Sequence, residues 1–182
     1  MTTDDYPAGV AHHVVLRGHS RGRTFFETAD YQVFLDLFYD AQLKHGLRVH
    51  AYALLPNRAH LLVTPSRDDS ICFALSEVIR RFERYANRSD AGRTREWAGW
   101  YRVNRVDSPE FLLTCYRYIE RTPVVDGLGN QPVDWFWSSA RANLQGVLDN
   151  LVSPHEVYLS LEIGRATRLN SSHSSVSRMP SS

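Results

Sequence analysis

Arginine carries the first chemical signal in this chain. Twenty of its 21 basic residues are arginine, with Lys44 as the one lysine. Between residues 80 and 105 eight arginines stand against Glu83, Asp90 and Glu96, leaving five positive charges. Arg80, Arg84 and Arg88 recur every four residues, which on a helix draws one stripe. Arg17, Arg21 and Arg23 share a short glycine-containing loop, RGHSRGR. A planar guanidinium meets phosphate through parallel N–H donors, so both clusters suit a nucleic-acid backbone. A solvated helix face would give the same pattern. Net charge is only +1 over the 182 residues, so an argument for an anionic partner has to rest on such local patches.

Other side chains that could do chemistry are less clustered. His60 stands in a strand-like run, and Tyr116 and Tyr118 stand in a helix-like run. Each has an ordinary alternative: a half-buried helix tyrosine, or a histidine at a strand edge. His12, His13 and His19 fall near the first β-rich run, but spacing does not say which approaches a site. Cys72 and Cys115 form no CxxC pair and indicate neither zinc nor redox chemistry. They read as two reduced thiols of a cytoplasmic protein.

The elements that would position these groups follow from the pattern. Residues 10–17 (VAHHVVLR) read as a strand ended by Gly18. Residues 30–45 carry Phe34, Leu37, Phe38 and Ala41 at helical spacing, with Gly46 as the stop. In residues 47–55, Leu47, Val49, Ala51, Ala53 and Leu55 alternate as one strand face. Pro56 and Asn57 turn the chain into a return strand, 58–64. Ser70 starts a helix with Ile71, Leu75, Val78, Phe82 and Tyr85 inward. Residues 97–106 suit a fourth strand. Ser108, Pro109 and Glu110 start a helix, expected to end near Arg121 because of Pro123. A loop with Trp135 and Trp137 as packing residues and a short helix opened by Pro154 complete the chain. This order indicates an α+β, ferredoxin-like sandwich: an antiparallel sheet with helices packed on one face.

Four segments, in order, resemble one family. HHVVLRGHSRGRTFF (12–26), AYALLPNRAHLLVTP (51–65), YRYIERTPV (116–124) and DWFWSSA (134–140) are similar to motifs of the HUH-type single-tyrosine transposases, in the branch associated with repetitive extragenic palindromes (REP). The resemblance implies metal-assisted cleavage and rejoining of single-stranded DNA. Two histidines flanking a hydrophobic residue, with a polar ligand four residues after the tyrosine, would hold Mg²⁺ or Mn²⁺. The tyrosine oxygen would attack phosphorus to leave a 5′-phosphotyrosine. Carried onto this chain, Tyr118 takes the nucleophile position and His60 the second histidine. Arg58 stands where the first histidine belongs, and Thr122 where asparagine is usual. A guanidinium has no lone pair for a metal, and a threonine hydroxyl is a weak ligand, so the metal site reads as degenerate.

The expected function is therefore a DNA-binding, transposase-like protein acting on single-stranded or hairpin DNA, with homodimerisation implied by the resemblance. Its alternative is a catalytically inactive hairpin-binding remnant or regulator. Arg17, Arg21, Arg23, Arg58, Arg80, Arg84 and Arg88 are the candidate DNA contacts. An RNA-binding sandwich is disfavoured by the want of an RNP-like signature. No run of about 18 apolar residues suggests a membrane span. One domain is expected over 1–164, its core about 10–145. Residues 165–182, with seven serines and no acidic residue, read as a disordered tail and resemble translated sequencing-adapter sequence.

Overall fold

The computed structural model describes residues 6–18, 22–89 and 97–161. Its elements run β1 (Ala11–Gly18), α1 (Thr28–His45), β2 (Leu47–Leu55), β3 (Arg58–Pro65), α2 (Ser70–Ser89), β4 (Trp97–Val106), α3 (Pro109–Val125) and α4 (Ala140–Gln145), with a 3-10 turn at Pro132–Asp134 before α4. The four strands form one antiparallel sheet in the order β2-β3-β1-β4. This is the ferredoxin-like order expected from the sequence. The tail from 165 and Arg21 lie outside the described residues.

Local chemistry sets the boundaries. Asp30 accepts from the N–H groups of Phe26 and Glu27 at 2.7 and 3.1 Å and so opens α1. Gly46 ends it in the left-handed region at φ 66°. Ser108 accepts from the Phe111 N–H at 3.1 Å, and Pro109 occupies the first turn of α3, where its missing N–H is no loss. Pro123 does not end α3 near Arg121. The helix runs on to Val125, and the N–H of Asp126 closes on the Thr122 carbonyl at 2.9 Å. A proline in the last turn leaves little helix beyond it to disrupt.

Strands β2 and β3 are buried on both faces, which requires a layer on each side. One layer is α1 and α2: Phe34, Phe38, Ile71, Leu75 and Phe82 pack on Val14, Leu16, Tyr52, Leu54, Leu61 and Val63. The other is α3: Leu112, Cys115, Tyr116 and Ile119 pack on Ala51, Ala53, Leu55, Leu62 and Val106. Helices sharing one face thus describes α1 and α2, whereas α3 takes the opposite side. The single face expected for β2 is also split. A bulge at His50 shifts the register between Val49 and Ala51. Leu47 and Val49 therefore join the α1/α2 core, and Ala51, Ala53 and Leu55 the α3 core. His50 itself is fully buried, bonded to the Ser153 carbonyl at 2.7 Å and the Thr64 hydroxyl at 2.8 Å.

The segment between α3 and α4 covers the β2 edge. Trp135 Nε1 donates to the Leu54 carbonyl at 2.8 Å, the Leu54 N–H donates to the Trp137 carbonyl at 2.8 Å, and Ser138 bridges to Ala53. Trp137 stacks on Tyr31 at 5.0 Å, so both tryptophans serve packing. Among the described residues no helix is long and apolar enough to cross a membrane.

Candidate functional site

Alternation along the strands decides which side chains meet α3. On β3, Ala59, Leu61 and Val63 point to the α1/α2 core, which turns Arg58, His60 and Leu62 toward α3. On β1 the same parity sends His12, Val14 and Leu16 one way and His13, Val15 and Arg17 the other. Cross-strand pairing sets Val15 opposite both His60 and Arg102, and His13 opposite Asn104. Tyr118 stands over this group from α3, 55% exposed. Its ring lies 5.8 Å from that of His13 and 5.6 Å from that of His60, edge-on to both.

A hydrogen-bonded chain runs through the centre. Arg58 Nε donates to His60 Nε2 at 3.1 Å, and His60 Nδ1 lies 3.1 Å from His13 Nε2. The rings of the two histidines stack at 5.3 Å. Because guanidinium only donates, His60 Nε2 must accept, which places the proton of a neutral His60 on Nδ1. That N–H then donates to His13 Nε2. Both nitrogen lone pairs facing the chain are thereby used. Burial holds the His60 imidazolium down to about 3, and the charges of His13, Arg58 and Arg17 push the same way. Burial also lowers His13.

Arg58 is fixed at its far end as well. Its terminal nitrogens reach the Asp126 carboxylate at 2.8 Å and Asn57 Oδ1 at 3.1 Å. Asp126 caps α3, so this ion pair ties the end of the tyrosine helix to the β2–β3 turn. Thr122 is buried and its hydroxyl donates to the Tyr118 carbonyl at 2.7 Å, inside the helix. From the next turn, Glu120 anchors α3 from behind: it is buried and accepts from Ser139 Oγ and Asn143 Nδ2, both at 2.7 Å. Burial raises its pKa.

This donor set does not suit Mg²⁺ or Mn²⁺. His60 Nε2 is occupied by a cation's N–H, Arg58 offers no lone pair, and Thr122 is turned into its own helix. Among the described residues no three His, Cys, Asp or Glu side chains group as metal ligands. What the arrangement offers instead is positive charge. A cleft of about 610 Å³ runs along Tyr118, with Arg17, Arg102, His13 and His60 in its lining and, among the described residues, no acidic side chain.

The remaining arginines lie elsewhere. Arg80, Arg84 and Arg88 are exposed on α2, across the sheet from Tyr118, beside a surface groove that Arg84 and Arg88 share with Val33 and Leu37 of α1. Arg23 is exposed, and its charge acts on Tyr31 of α1. Of the residues singled out in sequence, the fold brings together Arg17, Arg58, His60, Tyr118 and Thr122. It selects His13 from the three histidines near the first strand and Arg102 from the 80–105 arginines, and it adds Asn104, whose only sequence signal was strand parity relative to partners tens of residues away.

No family model matches the chain, and no curated protein matches its sequence. Among solved structures, the chain is similar to a REP-associated tyrosine transposase bound to a REP hairpin, with TM-score 0.66 and 17% identity over 82% of this chain and 88% of that one. It also matches a transposase candidate from Deinococcus radiodurans, with TM-score 0.46 and 18% identity over 69% of this chain and 93% of that one. The first likeness establishes the fold.

Proposed function

We propose that this chain is a transposase-like DNA-binding protein that takes hairpin or single-stranded DNA on its Tyr118 face, and that it holds phosphate there by arginine without a divalent metal. The observation that carries the reading is the 3.1 Å hydrogen bond from Arg58 Nε to His60 Nε2. It puts a permanent cation where a metal-binding nitrogen pair would need two free lone pairs. The hairpin bound by the structurally similar transposase suggests the class of DNA.

Each group has a part in this reading. Arg17, Arg58 and Arg102 attract the backbone, and Arg58 presents the fixed cation. His60 and His13 stay neutral and orient Arg58. Tyr118 gives the DNA an exposed aromatic edge and hydroxyl. Metal-dependent formation of a 5′-phosphotyrosine is not part of the activity, so the protein acts as a binder or regulator of hairpins. The stripe Arg80, Arg84 and Arg88, with Arg21 and Arg23, supplies further backbone contacts around the molecule. A cytoplasmic location and weak self-association belong to the same proposal; a clean monomer mass in light scattering at micromolar concentration would count against the latter.

The test is binding of fluorescent hairpin oligonucleotides in EDTA, for wild type and Arg58→Ala. Wild type should bind, and Arg58→Ala should weaken binding by roughly tenfold, the loss of one charge-assisted phosphate contact. Failure of wild type to bind any hairpin would overturn the proposal.

A further inference from the structure

We infer that a second cavity, behind the tyrosine helix, binds a zwitterionic amino acid with a large apolar side chain, its ammonium on Glu120 and its carboxylate on Arg117 and Arg121. The site does not depend on the DNA-binding reading. Leu113, Arg117, Glu120 and Arg121 line the cavity from one side of α3, whereas Phe111 and Tyr118 line the cleft from the other, and the two share no residue.

The cavity holds about 430 Å³, within the range of about 300–1,000 Å³ usual for small-molecule sites. Its charges are opposed but unpaired. Glu120 is buried, and one oxygen, Oε1, takes both of its hydrogen bonds, from Ser139 and Asn143. Oε2 has no donor among the described residues. Asn143, in the same lining, gives its Nδ2 to Glu120 and to the His50 carbonyl, which leaves Asn143 Oδ1 buried without a partner. Arg117 and Arg121 are exposed and one helical turn apart. Neither forms an ion pair with Glu120 or with any other carboxylate among the described residues.

An acid and two guanidinium groups that line one cavity without meeting suit a molecule that carries a cation at one end and an anion at the other. An ammonium group has three donors for the unpartnered oxygen. Its charge also offsets the buried carboxylate, whose desolvation raises the Glu120 pKa. A ligand carboxylate can accept from both guanidinium groups. Leu113, Leu144 and Leu161 are the apolar part of the lining, and Leu144 and Leu161 are 56% and 48% exposed. A large apolar side chain laid on them removes that surface from water. A phosphate chain fits poorly, because it brings negative charge and no donor to Glu120.

The experiment uses the full chain, with L-tryptophan, L-phenylalanine and L-leucine as probes in calorimetry and thermal melts. At least one should bind saturably and raise the melting temperature. The same compound without its amino group, and the same compound without its carboxylate, should each bind roughly tenfold more weakly or worse. Arg117→Ala and Arg121→Ala, at exposed positions, should each raise Kd roughly tenfold. Glu120→Gln keeps an oxygen for Ser139 and Asn143 but loses the charge, and should do the same. Arg58→Ala should leave Kd unchanged, because Arg58 belongs to the other site. No binding of any of the three probes by wild type would overturn the inference. Equal binding of the compound without its amino group, or a Kd unchanged in the Arg117, Arg121 and Glu120 variants, would overturn it too, and none of these results bears on hairpin binding.

Discussion

The guanidinium of Arg58 donates to the imidazole of His60 across 3.1 Å and, at its other end, pairs with Asp126 at 2.8 Å. One side chain therefore occupies a histidine nitrogen, links the β2–β3 turn to the end of the tyrosine helix, and brings a permanent positive charge to the Tyr118 site. The consequences of this placement can be measured one at a time.

On the proposed reading, placing metal-ligand side chains at 58 and 122 should create a metal site. In Arg58→His with Thr122→Asn, His60 Nε2 is released and two further lone-pair donors enter. Saturable Mn²⁺ binding should appear in calorimetry or electron paramagnetic resonance, and wild type should show none under the same conditions. The amide brings more polar atoms than the hydroxyl to buried position 122 and should lower stability by about 1–3 kcal/mol. Tight Mn²⁺ binding by wild type would contradict the assignment of the His60 lone pair to Arg58.

If Arg58 holds phosphate as proposed, Asp126 competes for it. Asp126→Asn should free the guanidinium and strengthen hairpin binding by about 1 kcal/mol, roughly a fivefold fall in Kd. The melting temperature should drop slightly, because the tie between α3 and the turn is lost. Unchanged affinity in this variant would mean that Arg58 does not contact the DNA.

The buried histidines set a pH dependence with a definite sign. His60 falls from the ordinary 6.5 to about 3 in the folded protein, and His50 falls from 6.5 to about 4. Between these values the unfolded chain binds more protons than the folded one, so stability decreases as pH falls from 6.5 toward 4. Glu120, raised by burial, acts in the opposite sense. Denaturant melts of wild type and His60→Gln across this range isolate the His60 share. Glutamine can still accept from Arg58, and its pH dependence should be shallower. Parallel curves for the two proteins would contradict the buried, neutral His60.

Ser139 joins the tyrosine helix to the sheet edge. Its hydroxyl donates to Glu120 at 2.7 Å and accepts from the Tyr52 N–H at 2.9 Å. Ser139→Ala should leave two buried polar groups short of a partner and destabilise the fold by about 2–4 kcal/mol. Thermal melts would show this, and a loss below that range would mean that water or Asn143 replaces the bond.

Much of the fold was legible because its signals are local. The turn at Pro56 and Asn57, the start at Ser108 and Pro109, and the stop at Gly46 each depend on a few adjacent residues. The parity that pairs Arg58 with His60 is likewise a property of one strand. Features set by distant partners were not legible. The bulge at His50 depends on β3 and Ser153, and it reverses the faces of β2 midway. The passage of α3 beyond Pro123 and its place on the opposite side of the sheet follow from tertiary packing. His13 meets His60 only because β1 and β3, 47 residues apart at this point, lie side by side. The Arg80, Arg84 and Arg88 stripe was visible as a stripe, but its place across the sheet from Tyr118 was not.

The proposal that Arg58 stands in for a metal at a DNA-binding site is tested most directly by hairpin binding and adduct formation by wild type and Tyr118→Phe, each in Mn²⁺ and in EDTA. The affinity should be the same in both conditions, and no covalent protein–DNA adduct should form in either. A covalent adduct that requires Mn²⁺ and disappears in Tyr118→Phe would contradict it.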